Sequence, residues 1–196
     1  MNSFISHAKD LLDDDNDRKD EQQYPDPGSN KTGGGFSSFL GDLDFNEAKE
    51  EADKNAGSSG DKHFFGSILH AVSQKKLSHD DDIDEEDAIN KHKKTYDDDD
   101  DDADENSLGT AAAMQALKLF NKGESTSSNS QSAYLGLAMS EASKLFDDKS
   151  SKDKVSSGTS KDAVVQKATE VAMKMYFKSQ GEQQGGLMGL ASKFVK

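Results

Sequence analysis

The residues with the most chemistry to offer are carboxylates in two dense runs. Asp80 to Asp87 holds seven carboxylates in eight residues, and Asp97, Asp98, Asp99, Asp100, Asp101 and Asp102 are consecutive. A helix–loop–helix calcium site needs carboxylates at alternate positions, a glycine at the sixth and a glutamate at the twelfth. Counted from Asp80, those positions hold Glu85 and Lys91. No calcium loop is encoded. The runs read as solvated acidic stretches, with Asp97–Asp102 the candidate surface for capturing a basic protein.

Histidine offers the next chemistry. His7, His63, His70, His79 and His92 all lie in the first half of the chain, and no two share the i, i+4 spacing that sets a pair of metal ligands on one helical face. Surface histidines are expected. Gly33-Gly34-Gly35 lacks a following Lys-Ser or Lys-Thr and a preceding strand, so it is not a phosphate loop. The absence of cysteine removes disulfides, thiolate metal sites and cysteine nucleophiles. No catalytic residue, cofactor or metal site is expected. Ser78 and Thr95 each have an aspartate three residues on, Asp81 and Asp98, which makes them candidate phosphorylation sites for an acid-directed kinase.

Apolar periodicity at helical spacing supplies the elements that would position these groups. Phe4, Ile5, Ala8, Leu11 and Leu12 form a stripe, predicting a short amphipathic helix over 1–12. Residues 13–61 are acidic and then rich in Gly and Ser, predicting a disordered linker. Order is expected from residue 62. Phe64, Phe65, Ile68, Leu69 and Val72 mark one helix, running to about Lys75. A second starts at Asp84, with acid in its first turn and lysines in its last. An acidic loop over 97–105 follows, too charged to pack.

Three stronger helices come next. The first is capped by Asn106 or Ser107 and stopped at Lys122-Gly123, the second runs through Leu135 to Phe146, and the third follows Ser160. Leu187 to Val195 gives a last short one. The fold class is therefore all-α: a small bundle of about four to six helices over 62–196, behind a long disordered acidic region. Ala and Met dominate the inner stripes, which predicts a thin, plastic core.

Charge divides the chain sharply. Residues 1–105 hold 12 basic and 30 acidic residues, a net of −18; residues 106–196 hold 12 and 8, a net of +4. Such asymmetry concerns partners and solubility. The acidic part repels nucleic acid and anionic lipid, so basic proteins, or the chain's own lysine face, are the expected partners. No stretch approaches the roughly 20 apolar residues of a membrane-spanning helix. The two terminal amphipathic segments leave weak membrane-surface contact open. Without a secretory leader pattern at Met1–Leu12, a cytoplasmic or nuclear location is expected.

The segments Asp82–Tyr96, Ala111–Lys118 and Glu141–Phe146, with the ending Gly189–Phe194, resemble a family of small uncharacterised fungal proteins labelled beta-flanking proteins. The resemblance spans roughly 62–196. It implies a fungal source and a domain boundary near 62, and it implies no activity, cofactor or catalytic residue. The chain thus reads as a non-catalytic protein, either stress-protective or an interaction module, with an acidic chaperone of basic proteins as the alternative. An enzyme with an unfamiliar site is the distant third.

Overall fold

Among the described residues the chain forms six helices, each opened by a short polar side chain. A computed structural model describes residues 43–75, 83–98, 102–124 and 130–181. They form α1 (Phe45–Ala56), α2 (Lys62–Gln74), α3 (Glu85–Tyr96), α4 (Glu105–Asn121), α5 (Gln131–Ser151) and α6 (Lys161–Gly181), with a 3₁₀ turn at Gly57–Ser59. No strand occurs among the described residues, and the fold is all-α. The expected helices at 1–12 and 187–196, the linker before residue 43, and Ser78, His7 and His79 lie outside those residues.

Local chemistry dictates where the helices begin and end. The Asp44 carboxylate accepts from the Asn46 and Glu47 amides at 2.8 and 3.1 Å, and Asp61 accepts from Phe64 at 2.9 Å. Asp84 caps α3 through Glu86 and Asp87, and Asp104 caps α4 through Ser107 at 2.7 Å. The hydroxyls of Ser130 and Ser160 accept from Ala133 and Ala163. Each satisfies amides that have no partner inside the first turn. α4 is thus capped at Asp104, two residues before Asn106 and three before Ser107, the caps expected from sequence. Its end falls at Lys122-Gly123 as anticipated: Gly123 adopts φ +75°, and Gly123 and Glu124 donate to Phe120 and Leu119 at 3.0 Å each.

Helix α5 is the hub, packing against α1, α4 and α6. One buried cluster joins α1, α2, α4, α5 and α6 through residues such as Phe65, Ile68, Leu108, Leu135 and Met173. A second joins α3 through α6 around Tyr134, Met114, Leu117 and Met175. α3 is the outlying helix: it docks on α4 and is tied to α6 by Lys178 and Glu85 at 3.1 Å. No described helix is long and apolar enough to cross a membrane.

Two expectations need correction. The segment 13–61 was expected to be linker, yet α1 occupies Phe45–Ala56 and buries Ala48, Ala52 and Ala56 against α5. The contact is close because Gly136 leaves room: a Cβ there would lie 2.5 Å from Glu51 Cβ and 2.7 Å from the Ala48 carbonyl. The loop 97–105 was expected to be unpackable, yet its last part is held. Ala103 is buried and bridges Val155, and Glu105 already belongs to α4.

Candidate functional site

The charged surface centres on α3, so the site is built outward from that helix. Its last turn is polar but buried. His92 is 5% exposed, stacks on Tyr96 with centroids 4.9 Å apart, and places Nε2 3.0 Å from Gln115 Oε1 of α4. Burial pushes the imidazole below its usual range, and Lys118 adds to the effect, while the Gln115 hydrogen bond and Asp97 pull the other way. His92 was expected at the surface. The structure sets it inside instead, on the face that holds α3 to α4, whereas His63 and His70 are exposed.

Tyr96 is half-buried as a whole, with its hydroxyl shielded from solvent. Burial raises its phenol well above the ordinary range, and Glu141 and Asp148 on α5 reinforce the rise. The phenol therefore stays neutral at physiological pH, and its buried hydroxyl makes no hydrogen bond among the described residues. Thr95 is 3% exposed within the same turn. A kinase would reach this candidate phosphorylation site only after α3 unwinds.

Beyond Tyr96 the acidic run begins, and both of its flanks are pinned. The amides of Asp97 and Asp98 donate to the Lys93 carbonyl at 2.8 and 3.2 Å. On the far side the Ala103 amide donates to Lys154, Ser156 donates back to Ala103, both at 3.1 Å, and the Ser156 hydroxyl donates to the Asp102 carbonyl at 2.5 Å. Asp102 holds the left-handed conformation at φ +65°, which costs a non-glycine residue free energy that the clasp must supply. Asp97, Asp98, Asp102, Asp104 and Glu105 are exposed. Asp99, Asp100 and Asp101 lie outside the described residues. Among the described residues, no group of three or more His, Asp or Glu side chains is placed to hold a metal ion.

The opposite end of α3 borders a cleft of about 370 Å3 shared with α4 and α6. Ile83, Ala88 and Val171 give it an apolar lining, and Asn106 and Thr110 contribute an amide and a hydroxyl. Its charges are Asp84, Asp87 and Lys91 from the α3 side and Lys167 and Lys174 from α6. Lys91 pairs with Asp87 at 2.6 Å. This cleft was not foreseen. The only sequence signal was Lys167 and Lys174 seven residues apart on one helix, a spacing that names no partner by itself. A smaller cavity of about 210 Å3 lies between α1 and α2 and is lined by Phe45, Lys49, Leu69 and His70 among others.

Comparison with known proteins adds one finding. Residues 44–125 match a family model described as a domain of unknown function, DUF7721. The matched segment opens on the N-cap of α1 and runs past α4, so it includes the helix placed in a linker by composition. No curated protein and no solved structure matches the chain.

Proposed function

We propose that this protein is a non-catalytic interaction module that captures basic partners on the acidic run between α3 and α4. The observation that carries the reading is the pinning of that run at both flanks while the flanking carboxylates Asp97, Asp98 and Asp102 stay exposed. A free tail of the same charge would attract cations diffusely. With its flanks anchored at Lys93 and at the Ala103–Val155 bridge, the run enters and leaves at two set points of the helical bundle, which lowers the ordering cost of binding. The −18 balance of residues 1–105 adds long-range attraction for a basic partner, a term that acts mainly on association rate and falls with salt.

The strongly shifted groups among the described residues support a binding role over a catalytic one. His92, Tyr96 and Tyr134 take their shifts chiefly from burial between helices, not from facing a cleft. We place the protein in the cytoplasm or nucleus, and the segments Asp82–Tyr96 and Ala111–Lys118 carry its likeness to the fungal beta-flanking proteins.

The test is an anisotropy titration of a fluorescent oligolysine peptide against the intact protein and against a variant with Asp97–Asp102 replaced by alternating Ser and Gly. Affinity at low salt is expected to fall at least about tenfold in the variant, the loss of a few charge-assisted contacts. Equal affinities would overturn the proposal.

A further inference from the structure

The groove between α1 and α2 plays no part in the acidic run. It measures about 210 Å3 and is lined by Phe45, Lys49, Gly66, Leu69, His70 and Ser73. That is several times the roughly 30 Å3 share of one water molecule. It is also smaller than the roughly 300 Å3 at which small-molecule sites begin. A space of this size fits an apolar side chain, not a metabolite.

Both helices build its walls. Leu69 is 2% exposed and Phe45 is half-buried against the core, which gives the groove an apolar side. Gly66 lets the stem of Lys49 cross α2, since a Cβ there would stand 3.2 Å from Lys49 Cδ. Exposed His70, with half-buried Lys49 and Ser73, supplies a polar edge.

The chain enters the groove's neighbourhood from a segment of matching pattern. Leu43, just before the Asp44 cap, is buried, and Phe45 two residues on is part of the lining. Counting back from Leu43, Leu40, Phe39 and Phe36 stand three, four and seven residues away, the spacing of one helical face. Ser37, Ser38 and Asp42 between them are polar. Leu40 lies five residues before Phe45, a reach of up to about 17 Å. Phe45 and Lys49, four residues apart on α1, are separated by a rise of only about 6 Å. The tether is long enough for the segment to fold back over the groove.

We propose that the α1–α2 groove is the docking site of the chain's own segment Phe36–Leu40, with the Phe39 ring entering between Phe45 and Leu69. The serines and Asp42 then face the polar edge, where the Asp42 carboxylate complements the charge of Lys49. Tethering decides the occupant. A segment joined by so short a linker acts at an effective concentration of about a millimolar, well above that of a second copy of the chain in dilute solution.

The protein contains no tryptophan, so Phe39→Trp in the full chain provides a single fluorescent reporter. The expected emission lies to the blue of that in concentrated urea, acrylamide quenching is several-fold weaker, and neither depends on protein concentration. Adding Gly66→Phe fills the groove from α2, and its ring displaces only the flexible end of Lys49. In that folded variant emission and quenching are expected to return toward the urea values. A solvent-exposed tryptophan in Phe39→Trp alone overturns the proposal, and so does shielding that survives Gly66→Phe. Shielding that grows with protein concentration assigns the groove to a second copy and overturns it too. Should thermal melts show Gly66→Phe unfolded, Phe39→Ala supplies the second measurement. It is expected to speed amide exchange several-fold across 45–49 and 69–73, and unchanged exchange there overturns the proposal.

Discussion

Gly136 sits in the middle of α5, where glycine costs a helix about 1 kcal/mol relative to alanine. On propensity alone Gly136→Ala should stabilise. The structure reverses the sign, because the added carbon would stand 2.7 Å from a backbone carbonyl of α1 that cannot swing aside. Overpacking of this kind costs about 1–3 kcal/mol, more than the propensity gained. We therefore expect Gly136→Ala to lower the urea midpoint, and a raised midpoint would mean that α1 does not lie against α5. His92 gives a second prediction at this scale. Its folded-state pKa is depressed below the ordinary value of 6.5, so below that pH the unfolded chain binds a proton that the folded chain resists. Stability should decline as pH falls from about 7 to about 5.5, the range in which an ordinary histidine titrates. His92→Gln should remove part of that decline, as read by urea unfolding at the two pH values. Parallel pH profiles for the two proteins would contradict the buried placement.

The helices themselves were legible wherever large apolar residues marked a stripe. Phe65, Ile68, Leu69 and Val72 in α2, and Val164, Ala168, Val171, Ala172 and Met175 in α6, are buried as their spacing requires, while Phe64 at the edge of the α2 stripe is half-buried. α1 was not legible, and the reason is physical. Its buried face is Ala48, Glu51, Ala52 and Ala56, three methyl groups and a carboxylate, so neither hydropathy nor periodicity distinguishes it from linker. What makes it pack is the groove that Gly136 opens on another helix, a feature of the partner and not of the segment. Asp44 at its N-terminus, accepting from two amides, is the one local signal. Removing everything before residue 62 should thus destabilise the remainder relative to a chain beginning near 43, since it uncovers the α1 face of α5. Thermal melts of the two lengths check this, and equal midpoints would restore the linker reading. Asp44→Ala should cost about 1 kcal/mol by loss of the cap.

On the scale of the whole molecule, composition announced the charge division but not how the charge is held. The acidic run was readable as a stretch of carboxylates; the clasp that holds its far flank at Asp102 and Ala103 was not, because its partners Lys154, Val155 and Ser156 are some 50 residues away in sequence and belong to a polar loop. The cleft escaped for the same reason, since its lysines and aspartates converge only when α3, α4 and α6 come together. Long-range juxtaposition, not residue type, separates what sequence showed from what it hid. The expectation of a plastic core also needs refining: Ala111, Ala112, Ala138 and Ala168 are fully buried, and the glycines at 109 and 136 bring helices close. Small residues here produce close approach in place of looseness.

Amide hydrogen exchange of the intact protein, with and without saturating oligolysine peptide, tests the central claim most directly. The account predicts slowed exchange at the end of α3 and at the clasp, in peptides covering residues 93–98 and 102–108. Protection confined to other parts of the bundle, or none at all while the peptide is bound, would contradict it.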